Sequence, residues 1–260
     1  SMPVMVCMDG FVLTHAMEQI DVPEQQQSDA FLTPFVPRQK LDVDHPVSIG
    51  AMVGPEAFTE VRWLAHRKQM EALAAIPSLA EEFASAFGRR AAGPNDHLGL
   101  VTDYHVEGSD TVVVALGATI GTLEDVVDEM RDDGTSIGVL GITSYRPFPQ
   151  AVIRDKLKRA KRVVVLERAF AVGIGGVVDA DIRMTLMGLD IAQNTVIAGL
   201  GGRPITRKSL QDILARHLSE GHAIVDLSAK VAIHMNDTHP AIGVAEWMRL
   251  LMDVHGLAWA

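Results

Sequence analysis

From residue 109 to residue 227, short apolar runs alternate with segments of helical periodicity. The runs at 111–116, 137–142 and 162–167 are mostly apolar, as expected for parallel strands that are covered on both faces. Between the first two runs, four apolar residues recur at helical spacing: Leu123, Val126, Val127 and Met130. Further strands are predicted at 195–198 and 223–227. This alternation predicts an α/β fold with a mostly parallel sheet and helices on both faces.

The sequence before residue 109 lacks this alternation. Residues 3–8 predict a buried strand, residues 55–88 predict a helix, and residues 91–108 predict a loop. The proline- and glutamine-containing stretch at 21–50 is typical of a linker. We therefore predict four parts: a remnant of a preceding domain at 1–20, a linker and helical segment at 21–108, the α/β domain at 109–227, and a strand–helix tail at 228–260.

Charge and cysteine content exclude several functions. The net charge of −10 disfavours a nucleic-acid partner, which needs clustered Lys and Arg, and no apolar run is long enough to predict a membrane span. Cys7 is the only cysteine and no secretory pattern precedes it, so we expect a cytoplasmic protein without an internal disulfide. The 10 histidines show no metal-binding spacing, so no metal site is expected.

Two glycine-rich turns are candidate anion sites. The first, AVGIGG at 171–176, lies between a predicted strand and a predicted helix, so Gly173, Gly175 and Gly176 are candidate cofactor contacts. Tight strand-to-helix packing is the alternative, since the spacing is not GxGxxG. The second, GLGGR at 199–203, offers Gly201 and Arg203 to a carboxylate or phosphate. Its alternative is a turn with positive φ and a solvated arginine.

Two further segments carry polar or aromatic residues near predicted strands. The YRPFP segment at 145–149 follows a strand, and its prolines and aromatics favour a rigid contact surface for a neighbouring domain over a ligand site. Asp9, Thr14 and His15 form a small polar cluster to which we assign no catalytic role.

Five phrases in register resemble the α subunit of pyruvate:ferredoxin oxidoreductase. They are MDGFVLTH at 8–15, SIGAMVGP at 48–55, GVLGITSYRPFP at 138–149, VVVLERAFAVGIGG at 163–176 and TVIAGLGGR at 195–203. The resemblance covers about residues 3–227. It implies that residues 109–227 are similar to the transketolase C-terminal domain. It also implies a parent complex that decarboxylates a 2-oxoacid, by default pyruvate, with thiamine diphosphate, magnesium, iron–sulfur clusters, coenzyme A and ferredoxin.

The resemblance assigns no catalytic residue to this chain. Most of the N-terminal, thiamine-contacting domain is absent, as is the GDG motif with a downstream Asn pair that holds the diphosphate and magnesium. We therefore expect no cofactor on this chain itself. We also expect contacts with the other subunits of the oxidoreductase, little activity alone, and self-association when the chain is isolated. The alternatives are a stand-alone domain that binds a phosphorylated small molecule and a non-catalytic structural module.

The tail resembles a different family. Residues 229–259, which include NDTHP at 236–240, are similar to a short segment of the α-glucan (glycogen) phosphorylases. By that resemblance alone, Asn236, Asp237 and His239 correspond to residues that line a sugar site. The lysine that holds pyridoxal phosphate in that family has no counterpart here, so we expect no phosphorylase activity. The tail is either a true fusion or an artefact of gene assembly.

Overall fold

The computed structural model describes residues 2–219 except residues 11, 18, 38, 51 and 203. The predicted strand at 223–227 and the tail with Asn236, Asp237 and His239 therefore lie outside the described residues. Arg203 lies outside them as well.

The strands confirm the predicted fold class. They are β1 (Asp96–His97), β2 (Val101–Tyr104), β3 (Thr111–Ala115), β4 (Ile137–Ile142), β5 (Arg162–Glu167) and β6 (Ala192–Ile197). They form one sheet in the order β1-β2-β4-β3-β5-β6. β4, β3, β5 and β6 pair in parallel, whereas β1 and β2 add an antiparallel edge. The loop predicted at 91–108 is therefore wrong in part, because β1 and β2 lie within it.

Helices cover both faces of the sheet. The described helices are α1 (Val12–His15), α2 (Gln25–Phe31), α3 (Pro55–Phe87), α4 (Thr119–Asp132), α5 (Gln150–Leu157), α6 (Val177–Leu186) and α7 (Arg207–Ser219). On one face, α4 and α7 bury Leu123, Val126 and Leu210 against the sheet. On the other face, α5 and α6 bury Ile153 and Ile182. Each such side chain contributes about 1.5–3 kcal/mol by leaving water, so these two cores hold the sheet together.

The chain before the sheet has no core of its own. Among the described residues, none that precedes Asp96 is buried. The strand predicted at 3–8 is wrong, since this segment has no strand and its side chains are exposed, with Val6 at 92%. The predicted helix at 55–88 is confirmed by α3, but only its second half contacts the sheet, where Leu73 and Ile76 pack against the core. We call residues 2–95 the N-terminal region and residues 96–219 the sheet domain.

The strand order places a switch point between β3 and β5. The chain passes from β3 to β4 on one side of β3, and then crosses to β5 on its other side. The helices that follow β3 and β5, α4 and α6, cover opposite faces of the sheet. The two connections therefore diverge, and ligands bind such sheets in the crevice outside the carboxyl ends of the strands.

Candidate functional site

Glu167, the last residue of β5, caps the helix that follows it. Its side chain is buried, and its carboxylate accepts three backbone N–H bonds from the first turn of α6. The donors are Val177 at 2.8 Å, Val178 at 2.9 Å and Asp179 at 3.1 Å. A carboxylate there satisfies free N–H groups and interacts favourably with the positive end of the helix dipole. Glu167 thus occupies the position that a bound phosphate would take.

The first glycine turn fits this internal carboxylate closely. A Cβ atom at Gly176 would lie 2.1 Å from Oε1 of Glu167, so only glycine leaves room for the carboxylate. Gly173 and Gly175 have φ values of 85° and 106°, in a turn closed by two 2.8 Å hydrogen bonds between Ala171 and Gly175. Turn geometry and close approach therefore account for all three glycines. A ligand contact at Gly173, Gly175 or Gly176 stays a prediction, and the ligand would have to displace Glu167.

Asp9 makes a similar contact on the other side of the switch point. Its Oδ2 accepts the backbone N–H of Ala118, at the start of α4, at 2.7 Å. Its Oδ1 lies 3.6 Å from Nη1 of Arg168, the residue that follows β5. A Cβ atom at Gly117 would lie 2.8 Å from Oδ2 of Asp9. A residue from the N-terminal region is thus fitted between the two diverging connections of the sheet.

The second glycine turn follows β6. Gly199 has a φ of 74°, and a Cβ atom there would lie 2.9 Å from Cδ1 of Ile205 and 3.1 Å from Nε of Arg168. Gly201 has a φ of 67° within the short 3₁₀ helix Leu200–Gly202. Both positions favour glycine, as the turn alternative requires. A ligand contact at Gly201 or Arg203 stays a prediction.

The YRPFP segment makes several side-chain contacts with α6 at the same edge of the sheet. The guanidinium of Arg146 lies 4.1 Å from the ring centroid of Tyr145 and donates to both carboxylate oxygens of Asp181, at 3.1 and 2.8 Å. The hydroxyl of Tyr145 also donates to Asp181, at 3.2 Å. Burial raises the pKa of Tyr145, and the nearby Arg146 charge opposes that rise. Locked aromatic and charged groups of this kind suit a contact surface.

The sequence gives little sign of a buried polar network behind α6. Asp179 is 6% exposed, accepts from Nε of Arg183 at 2.6 Å, and accepts from Nε2 of Gln193 at 3.0 Å. Arg183 also donates to Oγ1 of Thr195 at 3.2 Å. The one available signal is the pair of polar residues at 193–194, inside a strand that is otherwise buried. This network fixes α6 against β6, and with it the helix end that Glu167 caps.

The described ionisable groups at this edge are engaged with helix ends or with each other. Glu167 binds the N–H groups of α6, Asp9 pairs with Arg168, and Asp181 pairs with Arg146. A general acid or base must reach the substrate proton at hydrogen-bonding distance. In the described structure these three carboxylates contact the start of α4, the start of α6 and Arg146, so they help to position those groups.

Comparison with known proteins places this chain in a family. The description "Pyruvate flavodoxin/ferredoxin oxidoreductase, thiamine diP-binding" matches residues 1–82, and "Pyruvate:ferredoxin oxidoreductase core domain II" matches residues 109–210. Pyruvate synthase subunit PorA of Methanothermobacter thermautotrophicus is 35% identical over 215 residues, which are 83% of this chain and 54% of the relative. The chain belongs to the family of pyruvate:ferredoxin oxidoreductase α subunits.

A second relative agrees with the first in extent. PorA of Methanosarcina barkeri is 36% identical over 215 residues, which are 82% of this chain and 52% of that protein. The chain therefore spans about half the length of the curated α subunits that it matches. Among solved structures, a split-gene transketolase aligns with 46% of this chain and 43% of its own, at a TM-score of 0.37 and 17% identity.

The C-terminal part has a separate similarity, as the tail resemblance predicted. The description "Carbohydrate phosphorylase" matches residues 205–260, which overlaps the α-subunit match at 205–210. Helix α7 falls within this match, yet Leu210 and Leu214 are buried against the sheet domain. Up to the end of α7, the chain is thus part of the sheet domain in structure. A sugar contact at Asn236, Asp237 or His239 stays a prediction.

The described residues do not fit a complete thiamine diphosphate site. Magnesium and a diphosphate need converging oxygen ligands, and the cofactor needs a pocket that excludes water. No three His, Cys, Asp or Glu side chains of the described residues converge in a way that could hold a metal ion, and residues 2–95 contain no buried residue where they are described.

None of the helices in the described part of the chain is long and apolar enough to cross a membrane.

Proposed function

We propose that this chain is part of a cytoplasmic 2-oxoacid:ferredoxin oxidoreductase and supplies subunit and domain contacts in place of catalytic groups. Most of its listed relatives are pyruvate synthase subunits and one is a ketoisovalerate oxidoreductase subunit, so pyruvate is the proposed 2-oxoacid, with coenzyme A and ferredoxin as the other reactants. Thiamine diphosphate, magnesium and iron–sulfur clusters belong in this proposal to the assembled complex. Other polypeptides complete the active site.

The observation that carries the proposal is the exposure of the region that matches the thiamine diP-binding description. Within residues 1–82, large apolar side chains stand in solvent, including Val6 at 92%, Phe58 at 55% and Leu64 at 56%. Exposed apolar surface on this scale is typical of a surface that another chain covers. In the sheet domain, by contrast, α4 to α7 bury apolar side chains on both faces of the sheet, and Leu73 and Ile76 of α3 add to one of the two cores.

The rival function, a stand-alone phosphate-binding domain, finds less support at its predicted site. Three N–H groups at the start of α6, which a phosphate would need, already donate to Glu167. Displacing a buried carboxylate would leave it without its hydrogen bonds, which costs several kcal/mol. The glycine turn therefore favours an internal structural role.

Assembly with the other subunits of a pyruvate synthase is the direct test. The chain would be co-expressed with the partner subunits of one of the matched relatives, and the purified complex would be assayed for pyruvate- and coenzyme A-dependent reduction of ferredoxin. We expect a stable complex that contains this chain. If the partners elute without it at micromolar concentration, the proposal fails.

Titration calorimetry with thiamine diphosphate and magnesium tests the division of labour. We expect no saturable heat from the isolated chain, because the part of residues 2–95 that the structure describes has no buried side chain with which to enclose the cofactor. Binding at one-to-one stoichiometry would contradict a chain that depends on partners for its cofactor site. The Asn236→Ala variant gives a matched control, since it alters only the phosphorylase-like tail.

A further inference from the structure

We propose that Asp9 is a positioning residue that latches the N-terminal region onto the switch point of the sheet domain. The contact joins residue 9, within the segment that matches the thiamine diP-binding description, to residues 117, 118 and 168 of the core domain II match. It therefore sets how the two family segments meet within one chain.

The two oxygens of the Asp9 carboxylate have different partners. Oδ2 accepts the Ala118 N–H at 2.7 Å, at the positive end of the α4 dipole. Oδ1 faces the Arg168 guanidinium at 3.6 Å, and the side chains of Arg168 and Asp9 are 39% and 30% exposed. A partly exposed ion pair is weak alone, but the charge-assisted bond to a helix end adds direction to it. The single Asp9 carboxylate thus contacts both sides of the crevice, the start of α4 and the residue after β5.

Gly117 is shaped for this contact. Its φ of 72° is a conformation that glycine adopts without strain, and a Cβ atom would lie 2.8 Å from Oδ2 and 3.3 Å from Cγ of Asp9. In the same way, a Cβ atom at Gly176 would clash with the carboxylate of Glu167, which caps α6. In each case a glycine leaves room for a carboxylate that caps the following helix. The difference is that Glu167 comes from the sheet itself, whereas Asp9 lies 109 residues before its partner.

The latch also fixes the position of α1. Helix α1 begins at Val12, three residues after Asp9, so its first Cα atom lies within about 10 Å of the Asp9 Cα atom. The Asp9 contact therefore holds α1, with Thr14 and His15, next to the switch-point crevice.

Amide hydrogen exchange on the full chain tests the latch. In Asp9→Ala, we expect the Ala118 amide to exchange about tenfold faster, because its acceptor is removed. Peptides that span residues 9–15 should lose protection together with Ala118. In Asp9→Asn, the amide oxygen can still accept, so the increase at Ala118 should be smaller. Added salt should speed exchange in the wild type, by screening the Arg168 pair, and should have little effect in Asp9→Asn.

The amides of Val177 and Val178 serve as the internal reference, since Glu167 protects them independently of Asp9. Asp21→Asn is the matched control, because it removes a carboxylate that lies in the same region and is solvent-exposed. Unchanged exchange at Ala118 in Asp9→Ala would overturn the proposal. So would a loss of protection at Val178 in both Asp9 variants, because Asp9 would then support the whole fold and not the N-terminal region alone.

Discussion

The N-terminal region and the sheet domain bury their apolar residues in different ways. From Asp96 onward, two cores fill both faces of the sheet, with Leu123, Val164 and Leu210 on one face and Ile153 and Ile182 on the other. Before Asp96, no described residue is buried, although the segment is rich in Val, Met, Phe and Leu. Both regions contain many apolar residues, but only the sheet domain buries them within this chain. A sheet can cover its own faces, whereas an extended segment and a single long helix need another surface.

The two regions should consequently respond differently to substitution. Changes in the sheet domain should lower its free energy of unfolding, because its contacts are internal. Changes at exposed positions of the N-terminal region, away from Leu73 and Ile76, should alter association and leave that free energy nearly constant. Substitutions at buried Glu167 and at exposed Phe58 should show this difference between unfolding free energy and association most clearly.

The largest effect is expected for Glu167→Gln. The amide side chain keeps the size but loses the charge, and its NH₂ group cannot accept from the α6 backbone. We expect a loss of about 2–4 kcal/mol in the free energy of unfolding, since buried bonds to charged groups are among the strongest. Urea denaturation followed by circular dichroism measures it. Glu107→Gln, at an exposed loop position, is the control and should change it by less than about 0.5 kcal/mol.

A smaller effect is expected for Gly176→Ala. Its new methyl group would lie 2.1 Å from Oε1 of Glu167, so the carboxylate must move away from α6. We expect a loss of about 1–3 kcal/mol, as for other overpacked sites. Gly173→Ala is the comparison, because its Cβ atom meets nothing within 4 Å and only the positive φ is strained. Equal losses at the two positions would mean that backbone conformation, and not the Glu167 contact, selects Gly176.

The first half of α3 should control association. Phe58→Lys combined with Leu64→Lys places charges on a face that is exposed in the chain, so the unfolding free energy should change by less than about 0.5 kcal/mol. We expect sedimentation velocity to show less self-association of the isolated chain than in the wild type. Glu60→Lys changes the net charge by the same amount on the same helix and should leave association intact. A comparable loss in Glu60→Lys would show that net charge alone is responsible.

Much of the sheet domain could be predicted from local pattern. β3, β4 and β5 are short apolar runs, and α4 shows its buried face at Leu123, Val126 and Met130 in the spacing alone. β6 begins at Ala192, earlier than predicted, because Gln193 and Asn194 are polar yet buried by partners on other elements. β1 and β2 are only two and four residues long and contain Asp and His, so neither segment carries a clear strand signal in the sequence.

The candidate site could be predicted less well, because its contacts join distant residues. The glycine turn at 171–176 was evident in the sequence, but the acceptor that fills it, Glu167, looked like an ordinary strand end. In the sequence, Asp9 belongs only to a local polar cluster with Thr14 and His15. Its pairing with Ala118 and Arg168 depends on the strand order, which a local pattern does not contain.

The smallest effect is expected in alkaline titration, and it reports on the sheet domain alone. The chain has 2 tyrosines, Tyr104 and Tyr145, and both lie after Asp96. The hydrogen bond from Tyr104 to the Asp128 carboxylate raises the pKa of Tyr104, and burial raises the pKa of Tyr145. The midpoint of each tyrosinate absorbance change should therefore lie above the ordinary pKa of 10.0.

The sign of the linked stability change follows from these directions. Above pH 10.0 the unfolded chain ionises its tyrosines before the folded chain does, so folding stability is fully present below that pH and falls as pH rises through the folded pKa values. Tyr104→Phe and Tyr145→Phe assign the two absorbance steps, and each should reduce the alkaline loss of stability. A titration of Tyr145 below pH 10.0 in the native chain would mean that its ring is open to water, and the sheet domain would then be less closed than its two cores indicate. A titration of Tyr104 below pH 10.0 would mean that its hydrogen bond to Asp128 is not formed.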